Sequence, residues 1–250
     1  MNKNIITLIL IAGCFNIHGQ INSKRLPDYF GEHIRYELNV GFFQIGEVDI
    51  SFRGDSAACG AYVSSFARST GVVSFIKDVR YDFDACVDTS TGYTTQSKRW
   101  IKEGDYKDYD EVHYNRAVIP DSTRIITEDF DTLVVASDIR DILFAFFDFR
   151  KNHITHNMQI GDTIKLHTFF VDTEWDLNII YGGVEKIKTD IGTAKCYIFH
   201  PLTEPGKYFK NRDDMTIWVT ANRHHIPLRI EARMKLATFT AEIVEYKKDK

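Results

Sequence analysis

His33-Ile34-Arg35-Tyr36-Glu37-Leu38-Asn39-Val40 alternates polar and apolar side chains for eight residues. Glu47-Val48-Asp49-Ile50-Ser51-Phe52-Arg53 repeats the pattern after a break at 41–46. Successive strand side chains point to opposite faces, so each run has one wet face and one buried face. Together they read as a hairpin with a loop or bulged turn. Outward from this pair, residues 61–69 and 79–87 are the next strands. Val72-Val73-Ser74-Phe75-Ile76 lies between them as a short helical or irregular plug. Residues 93–102 and 106–115 form a polar hairpin around Glu103-Gly104-Asp105, followed by short strands at 124–127 and 132–135. Further strands fall at 163–171, 174–182, 183–188, 193–201 and 215–220. The run 226–246 alternates cleanly but is too long for one strand and must turn within itself.

One segment has another period. Within 137–150, Ile139, Ile142, Leu143, Phe146 and Phe147 fall at the spacing of an amphipathic helix. Ser137 is a suitable N-cap, and Asp138 and Asp141 complement the positive end of the helix dipole. The expected fold is therefore mainly β. An antiparallel sheet curls into a barrel or half-barrel, with one principal helix at about 137–150.

The 250 residues are 44% apolar and 26% charged, enough apolar material for a full core and too little bias for disorder. Against 31 Lys and Arg stand 35 Asp and Glu, a formal charge of −4. No basic nucleic-acid footprint is expected. Residues 5–12 are an apolar run behind Lys3, too short to span a bilayer and suited to a secretory signal. Two readings of its end compete. Cleavage after Gly19 leaves Gln20 as the new N-terminus. Alternatively, Ile11-Ala12-Gly13-Cys14 acts as a lipobox and lipid is attached to Cys14. Secretion is the favoured reading, to the periplasm or an outer-membrane-associated envelope. The expected organisation is a signal at 1–19, a leader at 20–32 and one β-rich domain at 33–250. No transmembrane helix is expected in the mature chain.

Export permits disulfides. Cys59 and Cys86 flank a hairpin and can meet across it, leaving Cys196 alone. The competing reading makes all three buried small hydrophobes. His153 and His156, three apart, and the adjacent His224 and His225 are weak metal candidates, and polar loops explain them better. No G-x-S-x-G, P-loop or G-x-G-x-x-G occurs, and no cofactor is expected. Phe144, Phe146, Phe147 and Phe149 nearly encircle the helix. Either sheet and loops bury them, or they line a cavity for an apolar ligand.

The order of several short motifs resembles DUF3108, a bacterial exported family of unknown function. They are Gly31-Glu32 before Tyr36, Gly46-Glu47-Val48, Phe66-Ala67-Arg68 and Tyr81-Asp82-Phe83. The helix at 138–150, Gly192-Thr193-Ala194-Lys195-Cys196 and Ile226-Pro227-Leu228 complete the series. One departure is the lack of Gly between Ala232 and Glu242, where the family often turns. The resemblance implies a β-rich fold and brings no catalytic residues. A looser analogy is with the curled sheets of envelope lipoprotein carriers. Three functions follow as expectations. The first is a non-enzymatic binding module for an apolar or lipid ligand or an envelope partner. The others are an envelope hydrolase with a histidine-based site, and an interaction module with a filled barrel.

Overall fold

The computed structural model describes residues 29–56, 59–116, 121–127, 132–170, 172–206 and 208–249. The expected signal, its Gly19 and Cys14, and most of the leader lie outside the described residues. The described chain forms one sheet. Its first arm is β1 (Glu32–Val40), β2 (Phe43–Ser56), β3 (Cys59–Ser69), β4 (Val79–Asp88), β5 (Tyr93–Glu103), β6 (Tyr106–Asn115), β7 (Ser122–Thr127) and β8 (Leu133–Ala136). The second arm is β9 (Arg140–Asp141), β10 (Thr163–Phe170), β11 (Thr173–Thr189), β12 (Gly192–Pro201), β13 (Met215–Thr220), β14 (Pro227–Arg233) and β15 (Thr238–Lys248). Spatial order is β8-β7-β6-β5-β4-β3-β2-β1-β15-β14-β13-β12-β11-β10-β9. Each arm is a meander, and β1 joins them by pairing with β15. Pairing is antiparallel except between β9 and β10.

The helical elements are α1 (Gly71–Ile76), α2 (Ile142–Asp148) and a π-helical turn at Phe149–His153. The principal helix is thus shorter than 137–150. Arg140 and Asp141 pair with Thr168 and Phe169 of β10, which holds this stretch extended. The cap is Asp141, not Ser137: its carboxylate accepts the Phe144 amide at 2.8 Å. The expected break between strands at 182 and 183 is instead a bulge inside β11, where the register shifts between Tyr181 and Gly183. Gly183 sits at φ +109°, and a Cβ on Gly182 would meet His200 Nε2 at 2.6 Å. The last hairpin turns at Met234–Ala237 between β14 and β15, and none of those residues has positive φ. The turn therefore does not need the missing glycine.

The sheet curls around α2. The helix touches β3 and β4 on one arm and β10 on the other, strands far apart in the order. Phe83 of β4 meets Phe170 of β10 with ring centroids 6.1 Å apart, and Tyr114 of β6 meets Phe169 edge-on at 6.4 Å. This wrapping explains the aromatic helix. Phe144 and Phe147 pack into a cluster with Ile34, Tyr36, Phe52, Tyr81 and Ile243. Ala145 and Phe149 enter a second cluster with Leu166, Tyr181 and Phe199. A helix flanked by sheet on several sides needs apolar residues on more than one stripe.

Candidate binding surface

The four phenylalanines expected as cavity lining are packed against protein. Phe147 lies 5.0 Å from Phe52 and 6.0 Å from Tyr29, centroid to centroid. Phe149 meets Phe199 edge-on at 5.0 Å. Phe144 is buried, while Phe146 is half-buried and packs edge-on against Phe147 at 5.2 Å.

Beside them, Arg150 and Glu32 form a fully buried ion pair. Arg150 donates to both Glu32 oxygens, at 2.6 and 2.8 Å, and to the carbonyls of His225 at 2.8 Å and His224 at 3.2 Å. Its guanidinium stands 4.2 Å from the Tyr29 ring centroid. Burial opposes the charge on Arg150, but hydrogen bonds and attraction from Glu32 outweigh it and hold its pKa above the ordinary arginine value. The pair ties β1, the π-turn and the β13–β14 connection together. Tyr29 and Glu32, at the end of the expected leader, are therefore part of the packed fold.

A small cleft of ≈ 30 Å³ lies where the arms approach, among Phe83, Arg99, Asp110, Asp141, Leu143 and Phe170. That is water-sized space. Arg99 is bound to Asp108 at 2.8 Å and to Asp110. Burial pushes the Asp141 carboxyl pKa upward, although Thr94 and the helix amides favour its charged form.

The histidines are engaged locally. His153 contacts Asp148 at 3.1 Å, and His156 contacts the Tyr197 hydroxyl at 3.1 Å. His225 donates from Nδ1 to the Arg150 carbonyl at 2.7 Å. His224 lies in the same turn, where its amide donates to Asn222. Tyr197 also approaches the His225 ring at 6.2 Å. Among the described residues, no group of three His, Cys, Asp or Glu is placed to hold a metal. Cys59 and Cys86 lie at disulfide distance with Cα atoms 5.4 Å apart. Cys196 is buried, and burial pushes its thiol up to about 11.

The most distinctive surface lies at one end of the sheet and was missed by periodicity. Phe42 is 88% exposed, Phe75 91%, Ile76 81% and Leu236 98%, and Phe43 is exposed too. Phe42 and Phe43 form the tip of the β1–β2 hairpin. α1 is seated beside that hairpin, with Thr70 N donating to Ile45 O at 3.1 Å. Leu236 lies in the β14–β15 turn, and Val40 pairs with Phe239 at the same end. Bulky apolar residues beside Gly41 and Gly71, at positions that should be turns, were the available sequence signal.

A family described as protein of unknown function, DUF3108, matches residues 35–244. The chain belongs to this family. Among solved structures, a β-barrel-like protein of the domain of unknown function DUF1849 from Brucella abortus is similar at a TM-score of 0.59 and 10% identity. The match covers 88% of this chain and 98% of that one. It extends the barrel-like fold of this DUF3108 chain to a second family. A DUF1089 family protein from Pseudomonas aeruginosa aligns over 86% of this chain and 95% of its own at a TM-score of 0.35 and 8% identity. No curated protein matches the chain by sequence. No helix among the described residues is long and apolar enough to cross a membrane.

Proposed function

We propose that this DUF3108 protein is an exported, non-enzymatic binding module that makes apolar contact through the exposed end of its sheet. One contrast carries the reading. Side chains expected to line an interior site are packed, while Phe42, Phe75, Ile76 and Leu236 stand in solvent at one end. Bulky apolar side chains gathered almost fully exposed at one end of a protein suit an interaction site, and full burial of each contributes roughly 1.5–3 kcal/mol. Of the four histidines a hydrolase would use, His153, His156 and His225 bond Asp148, the Tyr197 hydroxyl and the Arg150 carbonyl, and His224 accepts from its neighbour Arg223. Export rests on the expected signal at 1–19. The intact mass of the processed protein is expected to start at Gln20, and a lipid-modified Cys14 would replace that reading.

The test places a photo-cross-linking amino acid at position 75 in cells that export the protein, with position 184 on β11 as an exposed control. A cross-linked product at 75 and none at 184 is expected. Equal labelling at both positions, or none at either, defeats the proposal.

A further inference from the structure

The strand register brings together four bases that the sequence scatters over 40 positions. Arg68 of β3 pairs with Arg80 of β4, Arg80 with Lys102 of β5, and Lys102 with Lys107 of β6. Cross-strand partners share a face, so these side chains form one unbroken row. At about 4.8 Å per strand the row is roughly 14 Å long. Like charges directly opposite each other destabilise a sheet. Carboxylates offset part of this. Glu47 binds Arg68, and Asp78 serves both Lys102 and Arg80. Lys107 has no ion pair among the described residues.

The row lies one residue inside the strand ends that carry the apolar tips. α1, with Phe75 and Ile76, rises between the strands of Arg68 and Arg80. The β1–β2 hairpin, with Phe42 and Phe43, extends beyond Gly46, the last β2 residue paired with β3. Around these tips, in 41–47, 67–80, 102–107 and 231–239, seven bases, Arg68, Lys77, Arg80, Lys102, Lys107, Arg233 and Lys235, stand against five acids, Glu47, Asp78, Glu103, Asp105 and Glu231, a formal excess of +2. The whole chain is −4, so these segments have the opposite sign to the rest, while Glu37, Asp190 and Glu242 border Phe42 on its far side from the row. Pairing neutralises the excess only in part at the surface: Asp78, 40% exposed, covers Lys102, 28% exposed, but the other two carboxylates sit deeper than their partners. Glu47 and Glu103 are 18% and 12% exposed, whereas their partners Arg68 and Lys77 are 54% and 51% exposed.

Resting on the function proposed above, we propose that this end docks on a bilayer carrying anionic headgroups, with Phe42, Phe43, Phe75 and Ile76 at the acyl boundary and the Arg68–Arg80–Lys102–Lys107 row against the headgroup phosphates. Charge complementarity selects this occupant. The apolar residues project from separate tips, and a fluid bilayer accepts tips without a matching groove. Bases near an anionic leaflet add attraction that salt screens.

The processed protein is floated with phosphatidylethanolamine–phosphatidylglycerol vesicles and with phosphatidylcholine vesicles, at low and high salt. Binding to the anionic vesicles, weakened by salt, is expected. Arg80→Gln with Lys107→Gln should weaken it roughly 25-fold. Arg53→Gln with Lys195→Gln, the same charge change elsewhere, should not. Phe75→Ser with Ile76→Ser should abolish flotation, with unchanged melting curves showing that all variants fold. Equal binding to neutral vesicles, or equal loss in both charge variants, overturns the inference. So does absence of vesicle binding. If position 75 then still cross-links to a protein, only the bilayer inference falls. If it cross-links to nothing, the proposed function falls as well.

Discussion

Replacing Glu32 by Gln keeps its volume but leaves the Arg150 charge fully buried without its counter-ion. Burying an unpaired charge is costly, and breaking such a pair from one side costs about 3–5 kcal/mol. The structure favours the upper part of that range. Both Glu32 oxygens are engaged, and the remaining partners of Arg150 are neutral carbonyls and the rings of Tyr29, Phe146 and Phe147. For a domain of this size about 4 kcal/mol lowers Tm by roughly 10 °C. The assay is urea and thermal unfolding followed by circular dichroism. Arg150→Met should also destabilise, because it removes donors from the His224 and His225 carbonyls. Combining the two changes removes both charges, so the double variant should lose less than the sum, with coupling of about 2–3 kcal/mol. A Glu32→Gln cost below about 1 kcal/mol, or strict additivity, would refute the claim that this pair ties the arms to the helix.

Two further outcomes follow from other sites. If Cys59 and Cys86 are bonded, with a sequence separation of 27, reduction should cost about 3–4 kcal/mol, seen as a lower melting temperature with reductant. Equal melting with and without reductant would argue against the bond. Burial lowers the His225 pKa below 6.5. The unfolded chain therefore takes up the proton first as pH falls. This contribution to stability is intact above about 6.5 and is lost as pH falls from there through the folded pKa. His225→Asn, which tolerates the φ of +44°, should flatten that part of the stability–pH curve, and an unchanged slope would exclude His225 as its source.

Local periodicity is what made the fold legible. The 33–40 and 47–53 runs each turn one face inward, and their observed pairing places Ile34 opposite Ile50 and Tyr36 opposite Val48. Helix limits were harder, because Ile139 and Ile142 suit a helix while the partner that extends Arg140 and Asp141 is a strand nearly thirty residues later. The Glu32–Arg150 pair spans 118 positions, and no local pattern announces it. The row of bases has the same cause of invisibility. Arg68, Arg80, Lys102 and Lys107 each look like an ordinary solvated strand residue until the register aligns them. The double phenylalanine at 42–43 was in plain view, yet without a fold it read only as part of a turn.

The meeting of β1 with β15 has a consequence for biogenesis. Each arm can zip up hairpin by hairpin as the polypeptide emerges. One flank of β1 nevertheless stays bare until the final described strand is delivered. Throughout that interval the nascent molecule carries an unsatisfied backbone ladder, a template for mispairing with its own siblings. A truncation that removes β15 would leave two unjoined half-sheets and make that hazard permanent.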